Sequence, residues 1–65
     1  MRNKAEAKNL FNELITQINE SGDLGSRFRD SLRLADLLGH SNDNEVIGLL
    51  FQAAECGFTF EQTFC

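Results

Sequence analysis

Apolar residues recur at helical spacing in three successive runs, and each run stops at a glycine. The first run has no misses: Ala7, Leu10, Phe11, Leu14, Ile15 and Ile18 follow i, i+3, i+4, i+7, i+8, i+11. That spacing predicts a helix from about Lys4 to Glu20 with one apolar face, ended by Ser21-Gly22. A second run has Phe28, Leu32, Ala35 and Leu38 on one face, widened by Leu24, Leu34 and Leu37, and it ends at Gly39. Asp23 or Ser26 is its expected N-cap, a side-chain oxygen accepting a backbone N–H.

The third run carries Val46, Ile47, Leu49, Leu50, Ala53 and Ala54 and closes at Cys56-Gly57-Phe58. Asn42 is its expected cap, with Glu45 three residues on at capping-box spacing. Gly57 can take the left-handed conformation of a helix end, with Phe58 placed for the accompanying apolar contact. Thr59 and Gln62 then repeat the capping-box spacing and predict a short last helix. Phe58, Phe60 and Phe64 are expected to fold back over the third helix, making Glu45 to Gln62 the stretch the chain is built around. The fold expected is all-α: one small domain of three main helices and a short C-terminal helical turn.

Proline, tryptophan and tyrosine are absent and leucine leads the apolar residues, which favours helix. At 65 residues one core is the limit. Such a core leaves a surplus on the order of 3–5 kcal/mol over chain entropy, so a partner or a homodimer would add needed stability. No apolar run is long enough to span a membrane, the longest being Val46 to Phe51. Two cysteines, Cys56 and Cys65, match no zinc or redox spacing, and reduced thiols in a cytoplasmic protein are expected. A 56–65 disulfide would require an oxidising compartment.

Charge is divided unevenly. All six basic residues lie in the first half: Arg2, Lys4, Lys8, Arg27, Arg29 and Arg33. The second half carries Asp36, Asp43, Glu45, Glu55 and Glu61 with no base. An acidic half repels phosphate and suits a basic partner surface, so nucleic acid is not an expected partner. Glu6, Glu13 and Glu20, seven residues apart, read as a solvated stripe. Arg27, Arg29 and Arg33 form the one place for an anionic partner, and Asp30 or Asp36 can pair with some of them at i±3.

Four chemistries fail on the residues. Catalysis needs a nucleophile beside a base, and His40, the sole imidazole, reads as a cap or surface residue. The length of the third helix separates it from Cys56. No cofactor or metal set is present in the sequence pattern. Leu34 to Gly39 resembles the first helix and turn of helix-turn-helix DNA binders. The helix that follows would offer Asn42, Asp43, Asn44 and Glu45 to the groove, without a cation to neutralise phosphate. Asp30-Ser31-Leu32 resembles the tripeptide whose serine carries phosphopantetheine in acyl carrier proteins, but Ser31 falls inside the second helical run.

The widest resemblance runs from about Ala7 to Phe64. Phe11, Leu14, Ile15 and Ile18, then a second amphipathic helix, then a third ending Ala53-x-x-x-Gly57-Phe58-x-Phe60-Glu61, together resemble the nitrogen-fixation-associated domain. That domain is also the leader of Nif-eleven-type peptide precursors. The segment from Leu37 to Asn44 is longer than in typical members. The chain stops at Phe64-Cys65 without a Gly-Gly or Gly-Ala cleavage site and core peptide, so the resemblance implies a leader fragment or a stand-alone member. It also implies recognition by another protein through a helical surface.

The function expected is therefore non-enzymatic docking. If the domain is open, Leu10, Phe11, Leu14 and Ile18 are the expected anchors. If it is closed, Arg27, Arg29 and Arg33, or the acidic turn at Asp43 and Glu45, take that role. The alternative is a small acidic inhibitor that imitates nucleic-acid charge, although five acids over the second half are sparse for a mimic.

Overall fold

A computed structural model describes residues 3–64. Four α-helices follow one another: α1 Lys4–Ser21, α2 Phe28–Leu38, α3 Asp43–Cys56 and α4 Phe60–Phe64, with a 3-10 turn Gly25–Arg27 leading into α2. No strand occurs among the described residues. The Cα radius of gyration is 10.4 Å, close to the roughly 10.7 Å expected of a closed domain this long.

The helix ends are set locally. Asn3 Oδ1 accepts the Glu6 N–H at 3.1 Å and caps α1. Asn42 Oδ1 accepts the Glu45 N–H at 3.2 Å and caps α3. At α4 the box is reciprocal: Thr59 Oγ1 accepts the Gln62 N–H (3.1 Å), and Gln62 Oε1 accepts the Thr59 N–H (2.9 Å). Each such cap is worth about 1 kcal/mol. Gly22, Gly39 and Gly57 all take left-handed conformations at the ends of α1, α2 and α3. After α2, Gly39 and His40 donate to the Asp36 and Ala35 carbonyls in a Schellman closure, so His40 caps through its backbone.

Neither Asp23 nor Ser26 caps α2. The Arg27 N–H donates to the Leu24 carbonyl at 3.0 Å, so a backbone 3-10 turn occupies the group a side chain was expected to satisfy. Gly25, at φ +54°, makes the turn possible, since a residue with a Cβ is strained there.

The core centres on α1 rather than on α3. Ala7, Phe11, Leu14 and Ile18 form an unbroken buried stripe on α1, and α2, α3, α4 and the 3-10 turn all pack against this helix. α3 adds Val46, Leu50 and Ala53, and α2 adds Leu34, Ala35 and Leu37. The inward face of α2 is rotated from the sequence expectation. It runs through Ser31, Leu34 and Ala35, while Leu32 is half-buried and Phe28 is 49 % exposed. A serine at an inner position interrupts the apolar pattern and hides this face. Its hydroxyl is satisfied by donating to the Phe28 carbonyl, one turn back.

α4 lays Phe60 and Phe64 across Phe11. Ring centroids are 5.6 Å (Phe11–Phe60), 5.9 Å (Phe11–Phe64) and 5.8 Å (Phe60–Phe64), the first two pairs edge-to-face. Phe60 is fully buried, whereas Phe58 remains 38 % exposed. The C-terminal aromatics therefore close over α1 as well as α3, and only two of the expected three join the core.

Two substitutions test this packing by urea unfolding. Phe60→Ala is expected to cost about 3–5 kcal/mol, comparable with the whole stability of so small a domain, leaving the variant largely unfolded at 25 °C. Gly48→Ala should instead raise stability by about 0.5–1 kcal/mol. A Cβ there meets nothing within 4 Å.

Candidate partner-binding surface

The closed core settles where each expected contact residue lies. Phe11, Leu14 and Ile18 are buried, and Leu10 is half-buried against the core. They hold α1 to its neighbours, and of the four only Leu10 keeps part of its surface in water. Asp43 and Glu45 are exposed in the first turn of α3, where carboxylates oppose the positive end of the helix dipole.

The arginines do not form one free cluster. Arg27 bridges α1 and α2, its Nη2 lying 2.8 Å from Glu13 Oε2 and 3.0 Å from Asp30 Oδ2. Arg33 donates from Nε and Nη2 to Glu6 Oε1, also across α1 and α2. The Glu6 hydrogen bond and charge hold the Arg33 guanidinium above its already high ordinary pKa. Of the three, only Arg29 is exposed and without an ion-pair partner among the described residues.

The acidic stripe on α1 is accordingly not only solvated. α1 and α2 run antiparallel, so Glu6 faces Arg33 and Glu13 faces Arg27. Beside the second pair lies an open groove of about 320 Å³ lined by Asn12, Glu13, Thr16, Gln17, Glu20 and Arg27. The Arg27 Nε is buried there without a hydrogen-bond partner. Every side chain named in that lining is polar or charged.

At the other end of α1, Lys8 Nζ lies 3.2 Å from Glu61 Oε2 and ties α4 down. The Glu61 carboxylate sits below the ordinary glutamate range, first through its own backbone N–H in the opening turn of α4 and then through Lys8.

Ser31 is 1 % exposed, enclosed between helices with its hydroxyl occupied, so no transferase can reach it for phosphopantetheinylation while the domain is folded. His40 precedes the 14 residues of α3 and Cys56 is the last of them, so about 20 Å of helix separates the two, too far for a nucleophile–base pair. Cys56 is exposed and unbridged, and Cys65 lies outside the described residues. No group of three His, Cys, Asp or Glu among the described residues could hold a metal ion. No described helix is long and apolar enough to cross a membrane.

What the spacing rules missed is a set of outward-facing aromatics. Phe28, Phe51 and Phe58 are 49 %, 36 % and 38 % exposed. Phe51 follows the buried Leu50 directly, so its outward direction could have been read from the 100° step of a helix. No family model, curated protein or solved structure matches the chain.

Two measurements follow from the electrostatics. Because folding lowers the Glu61 pKa, its stabilisation is present above the unfolded value and lost as pH falls through the folded one. Carboxyl-carbon NMR titration should place the Glu61 midpoint below that of an ordinary exposed glutamate. In Lys8→Met the midpoint should rise only part of the way, since the backbone N–H remains. Arg29→Gln should leave stability within about 0.5 kcal/mol of wild type. Arg27→Gln should lower it by about 1 kcal/mol, measured by urea unfolding, because Glu13 and Asp30 lose a shared cation.

Proposed function

We propose that this chain is a small, non-enzymatic helical docking domain that binds another protein. The observation that carries this reading is the division among its six phenylalanines. Phe11, Phe60 and Phe64 close the core, whereas Phe28, Phe51 and Phe58 are turned to solvent in a domain with few apolar side chains to spare. Exposed aromatics cost nothing in packing, but they favour association, since partly buried rings supply large contact areas at low rotamer entropy. The resemblance to Nif-eleven-type leader domains points the same way, towards a helical surface read by a modifying or accessory enzyme. A cytoplasmic setting agrees with the exposed, unbridged Cys56.

The acidic second half supports a second reading, an inhibitor that occupies the basic surface of a nucleic-acid enzyme. Salt separates the two. Affinity capture from the native host with the chain as bait, at low and high salt, is expected to retain a protein partner in both. An apolar contact survives screening that removes a purely electrostatic one. Capture of a nucleic-acid enzyme lost at high salt would select the inhibitor instead, and a bait that retains no protein at either salt would overturn the docking reading.

A further inference from the structure

α3 turns Val46, Leu50 and Ala53 into the core. At 100° per residue, the opposite direction falls on Asn44, Gly48, Phe51 and Glu55. All four are exposed. Two features of this stripe have no account within the chain itself.

Gly48 is the first. It sits in the interior of α3, where glycine disfavours helix. Its φ is not positive, and an added Cβ would meet nothing within 4 Å. Neither backbone conformation nor packing within the domain requires glycine there. Phe51 is the second, an aromatic ring one turn further along the same outward line. Together they make a notch with an apolar wall, the shape into which a facing helix inserts a side chain.

The charges that α3 itself carries have one sign. Asp43, Glu45 and Glu55 are exposed, and none is in an ion pair with a described residue. Every lysine and arginine of the chain lies at or before position 33. From this geometry we infer that the outer face of α3 docks a basic amphipathic helix of the partner protein. An apolar side chain of that helix sits over Gly48 against Phe51, with Lys or Arg opposite Glu45 and Glu55. The inference rests on the docking reading and names its surface and partner class. A second copy using the same face would set carboxylate against carboxylate, and a nucleic-acid backbone would meet the same repulsion.

The probe is a capped peptide of about 20 residues, roughly 30 Å as a helix, with a leucine stripe flanked by lysines. A control carries glutamate for every lysine. Amide NMR shifts on adding the basic peptide should follow Asn44, Gly48, Phe51 and Glu55, and the control should produce none. Rim charges tune affinity modestly, so binding should weaken by about three- to tenfold between low and high salt without vanishing. Gly48→Leu fills the notch and should cut affinity by about tenfold or more, the scale of one blocked anchor. The same variant should raise the thermal midpoint, since leucine is the better helix former, which separates lost docking from lost folding. Phe51→Ser should weaken binding as well, and Arg29→Gln should not.

The inference is overturned if the basic peptide fails to bind, if the acidic control binds equally, or if Gly48→Leu keeps full affinity. Shifts confined to α2, or a dimer through α3 by sedimentation equilibrium, would overturn it too. The docking reading is tested separately: a protein captured from the host that binds the Gly48→Leu, Phe51→Ser double variant as tightly as wild type leaves docking standing and removes this face from it.

Discussion

Burial of one stripe on α1 is the condition on which the rest of the structure depends. Ala7, Phe11, Leu14 and Ile18 are the surface against which α2, α3 and α4 each place their own apolar residues. A helix of five residues such as α4 has no stability by itself, because nucleation consumes more free energy than so few hydrogen bonds return. It persists because Phe60 and Phe64 meet Phe11 in edge-to-face geometry and because Thr59 and Gln62 cap each other. Local capping and distant packing thus hold the same short element from two directions.

Electrostatics are secondary to that core but decide which surfaces remain available. Arg27 and Arg33 are committed to α1 by Glu13, Asp30 and Glu6, at sites open enough to water that the pairs set alignment more than stability. The antiparallel register matches the seven-residue spacing of Glu6 and Glu13 to the six-residue spacing of the two arginines. Pairing there consumes most of the positive charge that a first reading would assign to a partner. α3 has no such counter-charges, and its outward carboxylates stay unneutralised among the described residues.

Several features were readable from the chain alone because they are local. The stops at Gly22, Gly39 and Gly57, the Asn42 cap and the Thr59–Gln62 box each involve residues within five positions of one another. Asn3 stands three residues before Glu6 as Asn42 stands before Glu45, a signal for the start of α1 that the apolar spacing alone passed over. The start of α2 was not, because its cap is a backbone 3-10 turn that leaves no side-chain signature. Ser31 hid the inward face of α2, since a hydroxyl that satisfies itself on the preceding turn can be buried like an apolar residue.

The sequence by itself determined the all-α class, the number of main helices and the glycine at which each of them stops. Periodicity and capping act over one or two turns and need no tertiary information. Tertiary structure alone decided that the domain is closed, that α1 rather than α3 is central, and that two of three arginines are staples. It also decided that Phe28 and Phe58 face water. A helical stripe shows that one side is apolar, but on α2 two faces of similar apolarity compete. Only simultaneous packing against α1 chooses the one that turns inward, and by the same choice the residues left outside.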